Sequence, residues 1–216
     1  MTWGPLIADL LKGTATTLTV SLGGIACGMC LGLVLALARH GRVPIATQLA
    51  AVYVSVIRAT PMVTLALLIF FGLPSLGLGL SPLAAAILTI AINTSAFQAE
   101  IWRAGLMDFP NGQRDAARAA GMTRATAFRR IMFPQVWRAS LPALVNEITL
   151  VIKGSPAIAV IGVVDLTRVA MRASTQTYEP IPPFLSATAI YVVVVMALIR
   201  LQRTIERRIV TKYGVL

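Results

Sequence analysis

The chain has 216 residues, 57% hydrophobic and 12% charged, with a mean hydropathy of +0.80. Soluble domains carry about 25% charged residues, so this composition excludes an ordinary water-soluble enzyme and indicates a membrane protein. The 19 Lys+Arg against 8 Asp+Glu leave two readings, nucleic acid binding or a basic membrane face, and the placement of the charges decides between them.

The first element is a charge-free run over 13–38. About 20 apolar residues suffice to cross a hydrocarbon core, so a span is expected at roughly 14–38. Asp9 and Lys12 precede it, and its length exceeds a signal-peptide core, so it is expected to stay as the first helix. Within it, "CGMC" (27–30) spells a thioredoxin-type motif without the strand that should precede one. Two Cys at i, i+3 on a helix cannot close a relaxed disulfide. Gly24, Gly28 and Gly32 instead form a small-residue stripe that admits a close neighbouring helix. His40, the only histidine, has no partner cluster in the sequence that would suit a metal.

The second charge-free run, 59–99, holds the end of one span, a turn at "GLPSLGLGLSP" (72–82) and another span. Spans are therefore expected at roughly 46–71 and 82–103, then 136–157 and 183–203, five in all. With the N-terminus outside, 14 of the 19 basic residues fall on the inside: Arg39 and Arg42, the group from Arg103 to Arg138, and the group from Arg200 to Lys212. The positive-inside rule thus gives N-out, C-in. Trp3, Trp102 and Trp137 are expected at the interfaces. In "GSPAIAVIGVVDLTRVAMRAST" (154–175), read as an outer helix or gate, Asp165 and Arg168 are spaced for a local ion pair.

Between the third and fourth spans lies "RDAARAAGMTRATAFRRIMFPQ" (114–135). Alanine-rich sequence on both sides of Gly121 predicts a short helix, a break and a second helix. The pattern has the outline of a helix-turn-helix, but spans hold it on both sides and leave no room for a third helix, so no nucleic acid partner is expected. No G-x-x-x-x-G-K-[ST] is present, and "IKGSP" (152–156) has its Lys and Gly in the wrong order, so any ATP-driven work needs another subunit.

This segment resembles the EAA loop of ABC-importer permeases, E-A-A-x3-G-x9-I-x-L-P. Asp115-Ala116-Ala117, Gly121, Ile131 and Phe133-Pro134 stand at the matching positions, with Asp for Glu and Phe for Leu. "GTATTLTVSL" (13–22), "IRATPMVTLALLIFFGLP" (57–74), "INTSAFQAEIWRAG" (92–105) and "LPALVNEITLVIKGS" (141–155) extend the resemblance to the polar-amino-acid branch, the histidine/glutamine/arginine permease type. It implies an all-α integral membrane protein, one permease domain over 1–216 with a type I (MetI-like) architecture, in a bacterial inner membrane. It implies a second permease subunit, an extracytoplasmic substrate-binding protein and a cytoplasmic ABC ATPase dimer. ATP-Mg would sit on that ATPase, with no cofactor in this chain. Asp115, Ala116, Ala117 and Gly121 would belong to a coupling helix within a loop of about 111–134.

An ionisable group inside a span costs about 2.5–3.5 kcal/mol on insertion scales, so each one needs a reason. Asn93 and Glu100 share a helical face, as do Glu147, Val151 and Gly154. Glu147 is the candidate anion for a substrate ammonium, and Asn93, Thr94 and Ser95 are candidate hydrogen-bonding groups. The bland alternative is helix–helix glue, with Glu147 paired to Lys153 or Arg58. The resemblance places substrate contacts at Asn93 and Glu147, and an Asp in many relatives where this chain has Gly154. Its loss predicts a cargo that is not strongly basic. A rival reading is an ATP-independent secondary transporter or channel with Glu100 and Glu147 as coupling groups, disfavoured by the lack of an internal repeat.

Overall fold

The structure, a computed structural model, describes residues 3–41 and 43–213, with side chains for 6–41, 43–208 and 211. The side chains of Trp3, Arg42 and Lys212, to which an interfacial or inside position was assigned above, lie outside that set. Every regular element among the described residues is helical. Helix α1 runs Trp3–His40, α2 Pro44–Ala59, α3 Met62–Leu67, α4 Pro82–Met107, α5 Asn111–Ala119, α6 Arg124–Ala127, α7 Phe133–Gly154, α8 Leu166–Thr177 and α9 Ile181–Tyr213. Four helical stretches are long and apolar enough to cross a membrane, Leu6–His40, Pro82–Met107, Arg124–Ile161 and Ile181–Arg208, and the bent pair Pro44–Ala59 and Met62–Leu76 makes a fifth.

The expected span 46–71 is not one helix. Between α2 and α3 the axis turns by 109°. Pro61 has no N–H to continue the ladder, and its ring drives Thr60 out of the helical region, to φ −87° and ψ 124°. Beyond α3 the chain passes through a π turn, Leu68–Gly72, and a 3-10 turn, Leu73–Leu76, before Gly77 at φ 80° ends it. Ser81 then caps α4 by accepting from the Ala84 amide at 3.3 Å.

The centre of the fold is α1 packed on α4. Gly24, Gly28 and Gly32 are the reason it is close. A Cβ on Gly24 would come within 2.5 Å of Ile90, one on Gly28 within 2.3 Å of the Thr94 methyl, and one on Gly32 within 2.9 Å of the Ser95 carbonyl. The stripe read from the sequence thus sets the register of α4. Cys27 and Cys30 are free and exposed on α1, on the side away from that contact.

Two further clusters mark the ends of the bundle. At one end Leu6 and Leu10 pack on Leu166, Val169, Ala170 and Ala187. There the Thr17 hydroxyl accepts from the Leu166 amide at 3.1 Å. At the other, Trp102, Leu106, Phe109, Met132, Val136 and Leu144 gather around Ala36. Trp102 is not an interfacial indole: it is fully buried, stacked on Trp137 at 5.4 Å and Phe133 at 6.4 Å. Only Trp137 of this pair is exposed. The α9 span has 6% of its apolar window covered by the rest of the described chain, so its apolar surface is left open to lipid or to another subunit.

The expected ion pair of Asp165 with Arg168 does not form. The Asp165 carboxylate caps α8 by accepting from the Arg168 amide at 2.9 Å, while the Arg168 guanidinium donates to the Ala159 carbonyl at 2.6 Å. Burial pushes the Asp165 carboxyl up from its ordinary value, against the pull of the α8 amides.

Candidate functional site: a buried carboxylate and an exposed helical loop

Glu147 lies on α7, 7% exposed, at the level where α4 and α7 meet. Thr94 of α4 donates to its Oε1 at 3.4 Å. Gln98, one turn along α4 and fully buried, donates its Nε2 to the Thr94 hydroxyl at 2.9 Å. That bond uses the Thr94 oxygen as acceptor and leaves its proton for Glu147. Gln98 Oε1 has no partner among the described residues. Sequence reading missed Gln98, although its i+4 spacing from Thr94 was available.

The other predicted groups are dispersed. Ser95 is fully buried but turned toward α2, its hydroxyl 2.8 Å from that of Tyr53. Asn93 is half-buried on the neighbouring face of α4, with no side-chain hydrogen bond among the described residues. Gly154 is exposed and borders the start of α3: a Cβ there would meet Met62 Sδ at 3.8 Å, so a larger residue has room. Neither cation proposed as a glue partner pairs with Glu147. Lys153 is exposed, and Arg58 lies over the Phe97 ring at 5.3 Å.

Glu100 is committed elsewhere. It forms ion pairs with Arg39 of α1 and with Arg103, the latter at 2.8 Å. This cluster ties α1 to α4 near the end that carries α5, so Glu100 does not share the surroundings of Asn93 despite their common face.

The 111–134 segment folds as its sequence predicts, a helix, a break and a second helix. Gly121 sits at φ 73°, where a side chain is strained. Thr123 caps α6 by accepting from the Thr126 amide at 3.3 Å, and a π turn at Phe128–Met132 joins α6 to α7. Helix α5 has two faces. Gly112, Asp115, Ala116 and Ala119 are exposed, with Asp115 held by Arg118 at 3.1 Å. Ala117, expected on the same surface, is 4% exposed and turned inward, because i, i+4 spacing from Gln113 puts it on the opposite face.

Among the described residues no group of three His, Cys, Asp or Glu could hold a metal ion. The arrangement has no nucleophile paired with a base. What it offers is a buried acceptor inside the bundle and an exposed, small-surfaced helix at one end.

Residues 28–211 match the family described as "Binding-protein-dependent transport system inner membrane component". The chain is 34% identical over 206 residues to the arginine transport system permease protein ArtQ of Bacillus subtilis, covering 95% of this chain and 94% of that one. It is 37% identical over 202 residues to the nopaline transport system permease protein NocM of Agrobacterium fabrum, covering 89% and 84%. It is 34% identical over 206 residues to the glutamine transport system permease protein GlnP of Escherichia coli, covering 94% of each. A crystal structure of an amino acid ABC transporter with histidines superposes with a TM-score of 0.87 at 36% identity, covering 95% of each chain. An inward-facing MetNI methionine ABC transporter shares the fold, with a TM-score of 0.79 at 20% identity over 95% of this chain and 99% of that one. The chain is a membrane permease subunit of an ABC importer, and belongs to the binding-protein-dependent transport system inner membrane component family.

Proposed function

We propose that this subunit imports a polar amino acid or amino-acid derivative by ATP-driven alternating access, with Glu147 as the anion that receives the cargo's ammonium. One observation carries this: a carboxylate 7% exposed inside a span, with a single hydroxyl at 3.4 Å and no ion pair. A buried charge left so poorly matched destabilises the resting fold, and so requires a ligand or a functional reason. Thr94, oriented by Gln98, lines the same place; Asn93 and Ser95 would contribute only after α4 shifts. Arg58 puts a cation within electrostatic reach of the one carboxylate. With Gly154 lacking an acid, the path disfavours a strongly basic cargo.

Asp115, Ala116 and Gly121 present the surface that an ABC ATPase dimer would grip. Ala117 supports it from behind. ATP-Mg binds on that partner, a substrate-binding protein delivers the cargo from outside, and a second permease subunit completes the path. The N-terminus is outside and the C-terminus inside, in the bacterial cytoplasmic membrane. The secondary-transporter reading loses one of its two coupling groups, since Glu100 is held by Arg39 and Arg103.

The test is Glu147→Gln in the complete transporter reconstituted in vesicles. Uptake of glutamine or of other polar amino acids should fall at least tenfold, while the co-purified ATPase still hydrolyses ATP. Undiminished uptake removes Glu147 from the path. High-affinity uptake of arginine by the wild type overturns the cargo assignment.

A further inference from the structure

Behind α5, on the face opposite Asp115 and Ala116, lies a cleft of about 630 Å³. Its floor is apolar, made by Phe109, Met122, Phe128, Ile131 and Met132, and Arg114, Arg118 and Arg124 stand around it with His40. Three of the long apolar helical stretches end at the cleft. The first ends at His40, the Pro82–Met107 stretch ends two residues before Phe109, and the Arg124–Ile161 stretch begins inside the cleft. An apolar cleft among helix ends, on the side that carries α5, is open to an amphiphile.

The arginines are not equivalent. Arg114 donates to the Leu106 carbonyl at 2.7 Å and stacks over Phe109 at 5.6 Å, so it is part of the wall. Arg118 shares its charge with Asp115. Arg124 is exposed and forms no ion pair among the described residues. The surroundings are therefore net positive, over a greasy floor, where three apolar helices end.

We infer that this cleft holds one anionic phospholipid, with its phosphate on Arg118 and Arg124 and an acyl chain along Met122, Phe128 and Ile131. Basic pockets between span ends on the inner side recognise such headgroups. Free phosphate has no use for the apolar floor, and a zwitterionic lipid gains less than an anionic one, because its ammonium offsets part of the phosphate's attraction to the guanidinium groups. The lipid wedges α5 from behind while leaving its Asp115–Ala116 face uncovered. The inference stands on this geometry alone, whatever the cargo at Glu147.

The experiment takes the full chain with its membrane partners into nanodiscs containing phosphatidylglycerol and phosphatidylcholine in equal parts. Retained lipid is then counted by native mass spectrometry. A free arginine near a charged surface contributes about a fivefold preference; Arg124 supplies that, and Arg118, shared with Asp115, adds less, so wild type should retain one phosphatidylglycerol per chain with at least about fivefold selectivity. Arg118→Gln/Arg124→Gln should bring that to near parity. Ala125→Trp, which fills the cleft and keeps every charge, should abolish retention in a preparation that stays monodisperse. A photoreactive acyl chain on phosphatidylglycerol should label peptides containing Met122 or Phe128. Equal retention of phosphatidylcholine by wild type overturns the inference. So does unchanged retention in both variants, or a photoreactive group at Met122 that captures a protein segment and no lipid.

Discussion

Gly28→Ala tests whether the α1–α4 contact holds the Thr94–Glu147 pair in place. The added methyl would lie 2.3 Å from the Thr94 methyl and 2.9 Å from the Ala91 carbonyl, whereas ordinary contact begins at 3.4 Å. Helix α4 must retreat by about 1 Å, the difference between 3.4 and 2.3 Å. Overpacking of this kind costs about 1–3 kcal/mol. Removing a helical glycine returns about 0.5–1 kcal/mol, so the net change is a loss of up to about 2.5 kcal/mol. At about 2–4 °C per kcal/mol for a chain of this size, thermal unfolding of the purified protein should fall by up to about 10 °C. Thr94, the side chain the methyl strikes, carries the 3.4 Å hydrogen bond to Glu147 and must change its position or rotamer, so uptake should fall more than stability does. Gly23→Ala is the matched control. Its methyl would meet only the Ile87 side chain, at 3.8 Å, and the helical gain remains. It should therefore hold or raise the melting temperature and leave uptake intact. If Gly28→Ala behaves like Gly23→Ala in both assays, the close approach of α1 and α4 does not position the site.

Other substitutions separate the remaining contacts. Thr94→Val takes away the single hydrogen bond to Glu147 and should raise the substrate concentration needed for half-maximal uptake severalfold, with ATPase association unchanged. Glu100→Gln leaves Arg39 and Arg103, 19% and 30% exposed at their side chains, without a counter-charge; it should cost about 1–3 kcal/mol of thermal stability, between the values for surface and buried pairs. Asp165→Ala loses the α8 cap and should lower stability by about 1 kcal/mol. Asp165→Asn keeps an acceptor for the Arg168 amide and removes a buried charge, so it should match or exceed wild type at neutral pH. Because burial raises the Asp165 carboxyl, wild type should approach that variant's stability as the pH falls through the shifted value.

Much of the architecture was legible because bilayer chemistry writes long, simple signals. Charge-free runs located α1, α4 and α9, and the glycine spacing on α1 anticipated the helix lying against it. Gly121 marked a break whose φ of 73° few other residues tolerate. Where the reading failed, a local signal had two outlets. Pro61 could end a helix or kink it, and the hydropathy of 46–71 did not discriminate. Asp165 was correctly tied to Arg168, but to its backbone amide, because a residue preceding a helix meets free N–H groups before it meets a side chain. Asn93, Thr94 and Ser95 looked like one polar set. Consecutive residues on a helix diverge by about 100°, and the three were sent to three environments. Gln98 is readable from its i+4 spacing to Thr94, but that bond bears on the site only once α7 brings Glu147 to Thr94.

The break at Thr60–Pro61 bears on how far a charged solute must travel without solvation. Helix α2 has 16 residues, about 24 Å of length against a hydrocarbon thickness of about 30 Å. It cannot bridge the slab alone, and after a 109° turn α3 spends its length largely sideways. Interrupted backbone at membrane depth persists only beside protein or water. The backbone groups freed at Thr60–Pro61 therefore require protein or water beside them, and polar surroundings on that wall lower the electrostatic work of bringing a charged solute past it.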